Sequence, residues 1–70
     1  MHYLVIEIQV MADGTVAAIP YSFDTERAAL AKYHQILAAA ALSGLPKHSA
    51  LVCNDEGFTF RNDCFKNEEN

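Results

Sequence analysis

Apolar residues crowd two short runs at the start of the chain, Tyr3 to Met11 and Val16 to Phe23, and the pair Asp13-Gly14 lies between them. Asp-Gly between apolar runs is a two-residue hairpin signal, because both central positions of a type I′ turn need positive φ. Centring the turn there pairs Val10 with Ala17, Ile8 with Ile19, Ile6 with Tyr21 and Leu4 with Phe23. Strand side chains alternate, so these residues share one face, which is predicted to be the core. The other face then holds Tyr3, Val5, Glu7, Gln9 and Met11 beside Val16, Ala18, Pro20 and Ser22, a mixture too apolar for plain solvent exposure. Pro20 cannot donate to a ladder, which places the second strand at an edge or bends it.

After Phe23 the period lengthens. Asp24 is placed to cap free amides, and Thr25 and Glu26 follow in the first turn. At 100° per residue Ala29, Leu30, Tyr33, Ile36, Leu37, Ala40 and Ala41 form one stripe, predicted to cover the hairpin's apolar face. The opposite side is also poor in charge. Ala31, Ala38 and Leu42 on it predict packing against another chain, although alanine is also the best helix former and needs no partner. Gly44 suits a left-handed residue after a helix, and Pro46 blocks its continuation. His48 to Asn54 reads as a strand, Asn54-Asp55-Glu56-Gly57 as a type I turn with a glycine bulge, and Phe58 to Cys64 as the returning strand. That register sets Val52 against Phe60 and Leu51 against Arg61, and puts Cys53 and Cys64 on opposite faces.

The order β-β-α-β-β predicts an α+β fold, one four-stranded antiparallel sheet with a single helix on one face. Residues 1–65 form the single domain and 66–70 a polar tail expected to fray. The segments EIQVMADGTVA and KYHQILAAAALSGLPKHSA, followed by a short hairpin ending in a cysteine and an aromatic, resemble a group of small uncharacterised proteins of Firmicute genomes and their prophages. The resemblance spans nearly the whole chain and implies a phage or mobile-element setting, with a role in the virion or against host defence. It brings no activity and no catalytic residues.

Seventy residues bury only ~60% of the surface that the unfolded chain exposes, which favours oligomerisation as a supplement to a thin core. Nine acids against five bases, a formal net charge of −4, provide no field for a phosphate backbone, so nucleic acid is not expected as a partner. No apolar run is long enough for a membrane span, and neither a span nor a signal peptide is expected. The expected setting is the cytoplasm of a bacterial host cell, with both thiols reduced.

Candidate chemistry is sparse. Tyr33, His34, Lys47, His48 and Ser49 flank the reversal at Gly44-Leu45-Pro46 and form the first candidate ligand or partner site, with His34 and His48 expected on the same side of the domain. Tyr3, Glu7, Gln9 and Arg61 form an alternative on the outer sheet face, where a Glu7–Arg61 ion pair competes with ligand binding. Neither set has the spacing of a catalytic arrangement, and no metal-ligand pair, phosphate-cradling loop or cofactor motif is present. The favoured function is a non-catalytic, oligomeric binding protein that sequesters a small molecule or host protein and so blocks a defence or regulatory signal. The alternatives are a structural or assembly protein of a phage particle and, last, an enzyme using His34 or His48.

Overall fold

The computed structural model describes residues 2–67. In chain order the elements are β1 (Tyr3–Val10), β2 (Val16–Phe23), α1 (Glu26–Ala40), β3 (Lys47–Asn54) and β4 (Thr59–Lys66). The strands form one antiparallel sheet of order β2-β1-β3-β4. α1 lies across one face, so the α+β architecture is the expected one. β2, which carries Pro20, is an edge strand as its missing donor requires.

The first turn differs from the expected one. Gly14 N–H donates to the Met11 carbonyl at 3.0 Å and Met11 N–H to the Thr15 carbonyl at 2.8 Å. This is a type I turn closed by a glycine bulge, with Gly14 at φ 90. The bulge absorbs one more residue than a type I′ turn, so Val10 pairs with Val16 and Ile8 with Ala18. A one-residue slip reverses every side chain. The face under α1 therefore holds Val5, with Tyr3, Tyr21 and Phe23 packed around it, and Leu4, Ile6, Ile8 and Val10 occupy the opposite face. The expected faces of β1 are therefore exchanged, while Ala17, Ile19, Tyr21 and Phe23 of β2 keep the core face predicted for them.

Between the layers the core comprises Val5, Ala29, Tyr33, Ile36, Ala50 and Val52. The helical stripe holds as predicted for Ala29, Tyr33, Ile36 and Ala40, whereas Ala41 is exposed. Thr25 rather than Asp24 is the N-cap: its hydroxyl accepts from Ala28 N–H at 3.2 Å. Asp24 instead meets His2 Nδ1 at 3.2 Å on the surface. Gly44 does not adopt positive φ. The helix ends in tighter turns, Leu42 N–H to the Ala39 carbonyl and Ser43 N–H to that of Ala40, while Asn67 Nδ2 reaches the Ala40 carbonyl at 3.2 Å.

The second turn is the predicted type I turn with glycine bulge, Gly57 standing at φ 86. Asn54 Oδ1 adds two bonds, from Glu56 N–H and Phe58 N–H, both at 2.9 Å. A further register shift at Val52/Cys53 then sets Val52 opposite Arg61 and Leu51 opposite Asn62. The shift also overturns the expected separation of the cysteines. Cys64 lies opposite Ser49 and shares the face of Cys53. The two are about 13 Å apart along the strands, beyond the roughly 7 Å Cα separation that a disulfide tolerates, and both are free. Lys66 ends β4 and Asn67 N–H bonds the Pro46 carbonyl at 2.9 Å, so the expected fraying does not begin at residue 66; residues 68–70 lie outside the described ones.

Candidate functional site

Alternation decides which side chains meet. β1 turns Glu7 and Gln9 toward the helix layer, β2 adds Tyr21, and β3 adds His48, the Cα partner of Gln9. Glu7 is their common acceptor. His48 Nε2 lies 2.6 Å from Glu7 Oε2, Gln9 Nε2 donates to the same oxygen at 3.0 Å, and Tyr21 Oη donates to Oε1 at 3.2 Å. The side chains of His48 and Glu7 are only 7% and 13% exposed. Burial alone would raise the Glu7 carboxyl, but the bonds from His48, Gln9 and Tyr21 and the charge of His48 outweigh it and hold the group below its usual value. Tyr21 is raised, first by desolvation and then by the neighbouring Glu7 charge. Lys32 Nζ sits 4.4 Å from the centre of the Tyr21 ring. His48 Nδ1 is buried without a partner among the described residues.

This cluster takes His48 from the first candidate set and Glu7 and Gln9 from the second, and neither set is assembled as predicted. Tyr3, Glu7 and Gln9 lie on the helix-covered face rather than an open one. β3 separates β1 from β4, so Glu7 pairs with His48 and the predicted Glu7–Arg61 ion pair does not form. In the other set, strand alternation sends His48 inward and Lys47 and Ser49 to the far face. No serine or cysteine therefore shares the face of the Glu7–His48 pair, because Ser49 and Cys53 point away from it and Ser43 Oγ accepts from Leu45 N–H at 3.0 Å.

His34 and Tyr33 go elsewhere. They and Leu37 line a groove of about 570 Å³ whose other wall is Phe60, Arg61, Asn62 and Asp63 of β4. Its size suits a small organic ligand. The Tyr33 and His34 rings meet edge to face at 5.2 Å and 67°. Burial raises the Tyr33 hydroxyl, Asp63 raises it further and Arg61 opposes the shift, so both charges act at the groove floor. Arg61 makes no ion pair among the described residues. The register shift carries Arg61 and Asp63 to this side beside Phe60, which contacts Tyr3 at 5.9 Å and Phe58 at 5.5 Å between ring centres. His48 does not line the groove, so the two histidines serve different places. Sequence reasoning missed Leu37, Phe60, Asn62 and Asp63 here and Tyr21 in the cluster. A correct register for either hairpin would have named Tyr21 and Asp63 by parity.

Ala31, Ala38 and Leu42 are all solvent-exposed, Leu42 at 91%. No group of histidine, cysteine, aspartate or glutamate side chains fit to hold a metal occurs among the described residues, and no helix there is long and apolar enough to cross a membrane. Comparison with family models, curated proteins and solved structures finds no match to this chain.

Proposed function

We propose that the protein is a non-catalytic binding protein that takes a small molecule, with a flat ring and an anionic group, in the groove between α1 and β4. The observation that carries this reading is the juxtaposition, in one groove, of aromatic surface from Tyr33 and Phe60 with the Arg61 guanidinium and the His34 imidazole. A ring stacks on such surface, a planar guanidinium grips a carboxylate or phosphate through two donors, and Asp63 accepts from a ring N–H or amine. Phe60 is still 39% exposed, which leaves apolar area for a ligand to cover. In the setting that the sequence resemblance implies, capture of such a molecule in the host cytoplasm removes a defence or regulatory signal without chemistry.

Calorimetric titration with small planar aromatic acids, alongside native mass spectrometry of protein from its own host, tests the reading. Arg61 and His34 are exposed, so Arg61→Ala and His34→Ala are expected to fold normally and to lose capture. Equal capture by both variants excludes the groove. A second reading, a structural or assembly role, is favoured by the large uncovered apolar face of the sheet.

A further inference from the structure

We infer that the sheet face opposite α1 is the interface of a two-fold homodimer in which the two sheets stack face to face with their strands reversed. On this face lie Leu4, Ile6, Ile8 and Val10 of β1, Leu51 and the buried Cys53 of β3 beside Ser49 and Lys47, and Val16, Ala18, Pro20 and Ser22 of β2. Among the described residues no element lies over it, because α1 packs on the other side against Val5, Ala50 and Val52. Val16 is 62% exposed. The outer side of α1 is a weaker candidate: its alanines offer one methyl group each, and Leu42 stands alone at its end.

Area makes a second copy a sufficient occupant. Four strands of eight residues at about 4.8 Å spacing and 3.3 Å rise span roughly 500 Å². Two such faces bury on the order of 1,000 Å², the lower bound for a specific interface.

The distribution of polarity fixes the arrangement. The face is apolar across β1, most of β2 and the half of β3 that carries Leu51 and Cys53, is broken by Ser22, Ser49 and the terminal Lys47, and is polar on β4, where Asn62, Cys64 and Lys66 alternate outward. A two-fold axis parallel to the strands would lay β4 on the partner's β2 and cover apolar area with amide and ammonium groups. An axis in the interface plane and perpendicular to the strands lays β1 on the partner's β1 and β4 on the partner's β4. Apolar then meets apolar. The same axis brings Lys47 and Lys66, adjacent at one end of the face, over the partner's β3–β4 turn, which carries Asp55 and Glu56. An aligned packing of this kind is a standard solution for stacked twisted sheets.

Sedimentation equilibrium under reducing conditions, since Cys64 is exposed, tests this. The wild type is expected to reach twice the monomer mass at micromolar concentration, Ile6→Glu to remain monomeric, and Leu42→Glu to remain dimeric. Lys47→Glu, on the exposed rim, is expected to weaken the dimer several-fold without altering the fold, and adding Asp55→Lys and Glu56→Lys to restore it. A wild type that stays monomeric at high micromolar concentration overturns the homodimer, as does a folded Ile6→Glu dimer. Dissociation by Leu42→Glu moves the interface to the helix. A Lys47→Glu dimer of undiminished affinity, or one that the added lysines fail to rescue, overturns the reversed stacking.

Discussion

Glu7 is the residue on which the layer between sheet and helix turns. It accepts from three side chains at once, so a glutamine there leaves one acceptor oxygen for the three donors and sets an amide NH2 against the rest. Glu7→Gln is expected to cost about 1–3 kcal/mol at neutral pH, since a lost acceptor exposes the desolvation cost of its donors. The pH dependence has a definite sign. The folded carboxyl lies below its ordinary value of 4.5, so the unfolded chain binds its proton more tightly. The stabilisation is therefore complete above pH 4.5 and is lost as the pH falls through the lowered folded value. Asp13 is lowered too, by its bond from Thr15 N–H, and contributes an acid slope of the same sign. The informative quantity is thus the difference between wild type and Glu7→Gln in urea midpoint, followed from pH 7 to acid. It is expected to be constant at neutral pH and to shrink below pH 4.5; a difference independent of pH would mean that the Glu7 charge plays no part.

At the scale of elements, both hairpins use one device, a type I turn whose fourth residue is a glycine in the left-handed region. Gly14→Val forces a β-branched residue to φ 90 and is expected to cost about 1–3 kcal/mol, although a Cβ there meets no neighbouring atom. Gly44→Ala is expected to be neutral or to stabilise by up to about 1 kcal/mol, because Gly44 has no positive φ and no atom in the way. Thermal unfolding of the two variants separates strain from crowding, and equal effects would contradict this account of the turns. The strands, the helix and the edge position of β2 were legible because alternation, the helical stripe and Pro20 are local signals. Asn54-Asp55-Glu56-Gly57 was read correctly from its spacing. Met11-Ala12-Asp13-Gly14 has the same spacing, but the dipeptide Asp13-Gly14 also fits a shorter turn, and choosing that turn exchanged the two faces of β1 while those of β2 stayed as predicted. Parity magnifies such an error: it misplaced Glu7, Gln9 and Tyr3 together. The shift at Val52/Cys53 has no sequence mark of its own, which is why Arg61 and Asp63 were not foreseen on the helix side.

The whole molecule is one sheet with two proposed uses, and the thinness of its core links them to stability. Val5 and Val52 are the largest fully buried side chains, a small core even for a chain of this length, so stacked sheets would add the apolar burial that the monomer lacks. Association that stabilises only the folded state makes unfolding depend on concentration; the transition temperature of the wild type should therefore rise with protein concentration, and that of Ile6→Glu should not. Groove and dimer face are nevertheless on opposite sides of the sheet. β4 serves both through alternate residues, Arg61 and Asp63 toward α1, Cys64 and Lys66 toward the partner. Its register is held by the ladder to β3 and by the Asn54 turn, so filling the groove need not move the outward residues. The expectation is that Arg61→Ala abolishes ligand capture with the dimer affinity unchanged, and that monomeric Ile6→Glu, where folded, still captures ligand at one site per chain. Titrating both variants by calorimetry and sedimentation checks it. Loss of capture in a folded Ile6→Glu monomer would instead show that β4 transmits between the two faces, and that the dimer holds the groove in its binding shape.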